Sequence, residues 1–227
     1  MGAYRIVLSC EHASNAIPER FRKVVRIEES IRKSHRGWDI GALEVAKRLA
    51  PALNAKLVAA TFTRLLVDAN RNAHHPHLFS RFSRTLSEAD KASLLTNHHS
   101  AYRAEVERVL REAMASGPVL HLSIHSFTPR LDGIERNADI GLLFDPTRAG
   151  ESRFCRELQR KLREQSAPLR IRRNYPYRGT SDGLTTAFRR KFPGNVYLGI
   201  EIELNQAWLT GKTEVRRMVA HLVRTLT

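Results

Sequence analysis

The 227-residue chain has only two cysteines, Cys10 and Cys155, which excludes a disulfide framework and a cysteine-rich zinc site. No apolar run approaches the roughly 20 residues needed to span a bilayer. A short apolar stretch lies within residues 1–9, but no cleavage site follows it and Cys10-Glu11-His12 comes at once, so no signal peptide is expected. Neither a linker-like stretch nor an internal repeat interrupts the chain, which predicts one domain over residues 1–227. With 42% hydrophobic residues there is material for a sizeable core. The expectation is a soluble, cytoplasmic protein without a membrane partner.

Acidic residues are also scarce: 23 Asp and Glu stand against 38 Lys and Arg, a formal net charge of +15. Such a balance fits a nucleic-acid binder. The basic residues, however, recur singly or in pairs along apparent helix faces, as at Arg156, Arg160 and Arg163, and not in blocks. That pattern argues against a nucleic-acid partner and for a solvated basic surface, whose positive field would draw anionic substrates into a cleft.

Short strands alternate with amphipathic helices, the signature of an α/β domain. Strands are expected at residues 4–9, 56–63, 119–124, 140–144, 169–172 and 196–204. Helical stripes are carried by Ile40, Leu43, Ala46 and Leu49, with Pro51 at their end; by Tyr102, Val106, Val109, Leu110 and Ala113, closed by Gly117-Pro118; by Phe154, Leu158 and Leu162; and by Val215, Met218, Val219, Leu222 and Leu226. Residues 72–98 have little periodicity and read as a loop. Their histidines, His74, His75, His77 and His98 beside His99, lack the spacing of a strong metal motif.

Polar residues collect just past the strand ends, where open α/β sheets bind ligands. The first strand leads into Ser9 to Asn15, the second into Thr63 to Arg71, and the third into His125-Ser126-Phe127-Thr128-Pro129. Glu201 and Glu203 share one face of the long last strand, because strand side chains alternate. Two carboxylates on an apolar strand are costly unless they meet water, a cation or a partner. Each element also has a plainer reading. His12 and His125 suit hydrogen-bonded loop residues, Asp39 a helix N-cap, and Asn70-Arg71 a turn with a surface cation. Glu201 and Glu203 could pair with arginines, as Asp68 could with Arg71.

Taken in order, Ser9-Cys10-Glu11-His12-Ala13-Ser14-Asn15, His35-Arg36-Gly37-Trp38-Asp39-Ile40-Gly41-Ala42, residues 64–71, residues 125–129, Asn174-Tyr175-Pro176-Tyr177 and Glu201-Ile202-Glu203 resemble the N-formylglutamate amidohydrolase family from about Ser9 to Asn205. That family is related to zinc carboxypeptidases and aspartoacylases. The resemblance implies a mixed central sheet flanked by helices, of zinc-carboxypeptidase-like (phosphorylase/hydrolase-like) architecture, and a Zn²⁺-dependent hydrolase of an amide bond near a carboxylate. His12 and His125 match the family's metal-binding histidines. The carboxypeptidase glutamate three residues after the first ligand is replaced by Asn15, so Asp39 is expected to supply the third ligand, with Asn15 and Glu11 as alternatives. Glu203 matches the general base, with Glu201 orienting a neighbour. Arg64 falls near the arginine that polarises the scissile carbonyl, and Asn70-Arg71 resembles the pair that holds a substrate carboxylate, with Arg178 as a second carboxylate partner. The implied substrate is a small anionic N-acyl amino acid, N-formylglutamate first. The rival expectations are a basic nucleic-acid-binding protein without catalysis and a family member inactivated by the change at Asn15.

Overall fold

A computed structural model describes residues 4–165 and 169–227; Met1 to Ala3, the start of the stretch read as lacking a signal sequence, lie outside them. Six strands form one sheet in the order β2-β1-β3-β8-β6-β7. They are β1 (Arg5–Cys10), β2 (Lys56–Ala59), β3 (Val119–Phe127), β6 (Ile140–Leu143), β7 (Ile171–Arg173) and β8 (Tyr197–Asn205). Every pairing is parallel except β6 against β8, so the sheet is mixed and the fold is α/β. A two-stranded ribbon, β4 (Arg130–Leu131) and β5 (Ile134–Glu135), follows β3.

Strand parity builds the two layers. The even positions of the central strands, among them Leu8, Leu122, Ile124, Ile200 and Ile202, enter one core. Three helices close that face: α3 (Ala42–Ala52), α6 (Ala149–Arg163) and α8 (Lys212–Leu226). The odd positions Val7, Val119 and Tyr197 join a second core under α5 (Ala101–Met114) and α7 (Leu184–Lys191). Burying both faces explains why all nine residues of β3 and of β8 are buried, as expected of a sheet covered on both sides. No helix among the described residues is long and apolar enough to cross a membrane.

Several boundaries differ from expectation. The second strand stops at Ala59, and residues 60–71 continue as turns that bury Phe62, Leu66, Val67 and Ala69. Pro51 lies inside α3, near its end, and that helix buries Ala42, Val45, Ala46 and Leu49, so its core stripe is rotated from the one read in the sequence. Residues 88–100 are helical: α4 (Glu88–Leu94) runs through a wider π turn (Leu95–Ser100) into α5. The signal was present in Ser87, an N-cap whose hydroxyl accepts a hydrogen bond from the Asp90 N–H at 3.1 Å and donates to the Asp90 carboxylate at 2.7 Å. Two short helices, α1 (Glu19–Arg22) and α2 (Glu29–Lys33), and α7 complete the fold.

Candidate metal centre

The odd face that carries apolar side chains low on the sheet turns polar toward the strand ends. Ser9 pairs with Ser123, Ser123 with Glu201 and His125 with Glu203, so the polar side chains stand in a row across β1, β3 and β8. His12 follows β1. Asp39 sits in the turn before α3, tied by its N–H to the His12 carbonyl at 2.9 Å. Gly41 completes that turn at φ +83°, where a Cβ would also lie 2.7 Å from the Leu209 Cβ, so glycine is needed on both counts.

His12, Asp39 and His125 are each buried, and one ligand-capable atom from each lies within 4.8 Å of the others. His125 Nδ1 is 2.9 Å from Asp39 Oδ2, and His12 Nδ1 is 3.4 Å from the same oxygen. The outer ring nitrogens meet carboxylates: His12 Nε2 lies 2.7 Å from Asp68 Oδ1, and His125 Nε2 lies 2.9 Å from Glu11 Oε2. Glu11 also accepts from Ser123 Oγ at 2.5 Å and Tyr102 OH at 3.1 Å. Each imidazole is therefore held between an inner and an outer carboxylate.

Electrostatics follow from this excess of acid. Burial alone would weaken proton binding by both imidazoles, and Arg64 acts the same way on His12. Asp68 and Asp39 outweigh these effects at His12, as Asp39 and Glu11 outweigh burial at His125, so both histidines hold protons more tightly than usual. Burial would likewise favour neutral acids. Instead His125 and Ser123 hold Glu11, His12 and His125 hold Asp39, and Arg64 and His12 hold Asp68 below the usual carboxylate range. Glu203 is the exception. Burial pushes it up to about 8; His125 opposes the rise, while Asp39 and Glu201 add to it. Its Oε2 is buried without a hydrogen-bond partner, whereas Glu201 accepts from Thr185 Oγ1 at 2.6 Å.

The donor set fits a metal ion. Atoms sharing a tetrahedral zinc at about 2.0–2.2 Å lie roughly 3.3 Å apart, close to the 2.9 and 3.4 Å from Asp39 Oδ2 to the two imidazole nitrogens. A lone pair on His125 Nδ1 facing a carboxylate oxygen at 2.9 Å requires something positive between them, a proton or a cation. The outer carboxylates supply the partners that fix a ligating imidazole's orientation.

A cavity of about 300 Å³ opens beside these groups, and Arg64, Asn70, Arg71, Arg178, Glu201 and Glu203 line it too. All eight site residues read from the sequence therefore meet in one place. Arg64 donates to Asp68 at 2.8 Å and approaches His12 Nδ1 at 3.2 Å. Asn70 spends its carbonyl oxygen on the Leu184 N–H at 2.7 Å. Asp68 serves His12 and Arg64 first, and Arg71 Nε only at 4.0 Å. Arg178 is exposed and makes no ion pair among the described residues. Asn15 is elsewhere: its carbonyl accepts from Arg32 at 3.1 Å, and it lines a different depression. Glu11, weighed in the sequence as an alternative third ligand, instead meets the outer nitrogen of His125. His74 and His77 are exposed in turns, as expected, while His99 is buried against the Arg71 carbonyl at 2.9 Å.

The family model for N-formylglutamate amidohydrolase matches residues 4–209. A gene product of Agrobacterium tumefaciens has a similar crystal structure, with a TM-score of 0.85 at 28% identity, covering 98% of this chain and 89% of that one. An N-formylglutamate amidohydrolase from Ralstonia eutropha shares the fold, with a TM-score of 0.77 at 18% identity, covering 99% of this chain and 92% of that one. No curated protein matches the chain. The chain belongs to the N-formylglutamate amidohydrolase family. Membership and the buried His12, Asp39 and His125 together suggest a metal-dependent amidohydrolase.

Proposed function

We propose, from this family membership, that the protein is a zinc-dependent hydrolase of the amide bond in N-formylglutamate or a related N-acyl amino acid. The observation that carries the reading is the convergence of His12 Nδ1, Asp39 and His125 Nδ1, backed by Asp68 and Glu11, beside a buried Glu203 with a free oxygen. His12, Asp39 and His125 would hold the ion. When bound, zinc supplies a Lewis acid for the amide carbonyl and makes water a better nucleophile.

The remaining steps belong to side chains of this chain. Glu203 takes a proton from the attacking water at its unpartnered oxygen and returns it to the departing amine nitrogen. Its raised proton affinity suits that role, since a base works best when its pKa lies near the operating pH. Arg64, held in place by Asp68, offsets the charge that develops on the carbonyl oxygen. Arg71 receives a substrate carboxylate through its two-pronged donor face, the Asn70 amide nitrogen assists, and Arg178 takes a second carboxylate. Glu201, fixed by Thr185, shapes the wall beside Glu203.

A comparison of N-formylglutamate with its α-carboxamide tests this reading. The zinc-loaded wild type is expected to hydrolyse the acid and strongly prefer it, and Arg71→Ala to lose most of that preference. Absence of hydrolysis would reject the activity. Equal discrimination by both proteins would remove Arg71 from substrate binding.

A further inference from the structure

Arg71 reaches the cavity from residues 67–72, a stretch without helix or strand. Its side chain is weakly tied: Nη1 lies 3.5 Å from His75 Nε2, and Nε lies 4.0 Å from the Asp68 carboxylate. A guanidinium so loosely held keeps its donors free for a ligand, and its position then depends on the backbone beneath it. That backbone is fastened by side chains from elsewhere. Arg103 of α5 donates from one nitrogen to the Ala69 carbonyl at 3.0 Å and to the Arg71 carbonyl at 3.2 Å. His99 Nε2 lies 2.9 Å from the same Arg71 oxygen. The N–H of that peptide unit, which belongs to Asn72, donates to Asp182 Oδ2 at 2.8 Å. Both ends of the peptide unit that follows Arg71 are therefore held.

Packing alone does not account for a histidine at position 99. A carbonyl only accepts, so His99 Nε2 carries the hydrogen, and Nδ1 is left buried without a partner. An unpaired buried nitrogen costs stability that an apolar side chain would not. His99 also lies in the wide π turn between α4 and α5, a distortion frequent at functional sites. It stands four residues before Arg103, the spacing that brings helical side chains together, and both reach one oxygen.

We propose that His99 and Arg103 are positioning residues for substrate recognition. By holding the Arg71 carbonyl they set where its guanidinium stands, and through it the selectivity for a substrate with a free carboxylate beside the scissile amide. The inference rests on the amidohydrolase reading given above. Neither His99 nor Arg103 lines the cavity, so both act through Arg71 and not on the substrate itself.

The test measures kcat and KM for N-formylglutamate and its α-carboxamide on zinc-loaded wild type, H99L, H99Q, R71A and H99L/R71A. Misplacing a positioned group costs up to about 10²-fold. In H99L the KM for the acid should rise about tenfold with kcat nearly unchanged, and the preference for acid over carboxamide should fall by the same factor. H99Q, whose amide still donates to the carbonyl, should recover most of that preference. In the R71A background H99L should remove no further preference, because residues that act through one group are not additive. The preference is a ratio within one preparation, so a loss of folded protein does not move it. Wild-type preference in H99L, retained preference in R71A, or a further loss in H99L/R71A would overturn the proposal. Hydrogen exchange of the Asn72 amide needs no turnover: it should be faster in H99L and as in wild type in H99Q. If the wild type hydrolyses neither compound, the reaction reading fails and this exchange alone decides. Faster exchange in H99L, restored by H99Q, supports the positioning of Arg71, and equal exchange in all three proteins rejects it.

Discussion

Two clusters of buried charge pack against this sheet, and they are built on opposite plans. In the first, Glu151 of α6 is fully buried and takes both oxygens to Arg189 Nε at 3.0 and 3.1 Å. It also accepts from the Asp145 and Gly199 N–H groups. Arg189 spends its remaining nitrogens on the Gly179 and Gly199 carbonyls at 2.6 Å, and Arg148 caps the Arg189 and Tyr197 carbonyls. One atom, Arg148 Nε, lacks a hydrogen bond, yet it lies 3.5 Å from Glu151. The second cluster joins Glu11, Asp39, Asp68, Glu201 and Glu203 to two histidines and Arg64, borders a cavity, and leaves Glu203 Oε2 with no partner. A completed network fixes backbone geometry. A network with surplus negative charge and a free oxygen at a cavity is stabilised by what it binds, and such incompleteness marks function more than stability.

Breaking one member of each cluster should separate the two plans. The largest effect is expected from Glu203→Gln, which keeps the shape and removes the basic oxygen: turnover should fall by roughly 10²–10⁴, with metal content retained. Thermal stability should hold or rise, because an amide carries no charge for burial to penalise. Near-normal turnover in that variant, beside an inactive Glu201→Gln, would transfer the base to Glu201. Arg189→Ala should do the reverse. Stranding the buried Glu151 costs about 3–5 kcal/mol of stability, while kcat per folded molecule stays unchanged; urea titration and active-site-normalised rates read the two quantities.

A smaller effect is expected one step out from the proposed ligands. Glu11→Gln and Asp68→Asn each keep the size of the group that orients an imidazole but remove its charge. Each should weaken zinc binding by about 10–100-fold. Asn15→Ala should leave zinc binding unchanged, because Asn15 faces another depression. If Asn15→Ala weakened zinc binding as much as Glu11→Gln, the centre would have to be redrawn around the loop after β1.

The same contrast explains what could be read before the fold was known. The central strands were legible because β3 and β8 combine apolar even positions with polar odd ones, and alternation survives without tertiary context. The ordered motifs brought His12, Asp39, His125 and Glu203 together. Glu11 was read only as an alternative ligand because its place depends on register: the pairing of Ser9 with Ser123 brings it to the outer side of His125. Asp68 was assigned to Arg71, since sequence proximity is visible and a contact across 56 residues to His12 is not.

The central claim is that His12, Asp39 and His125 form one metal site, and calorimetric titration of chelator-stripped protein with Zn²⁺ tests it most directly. The account predicts one tightly bound ion per chain in the wild type and loss of that binding in His125→Ala, while Arg178→Ala binds as the wild type does. Absence of saturable binding in the folded wild-type protein, or undiminished binding by His125→Ala, would contradict it.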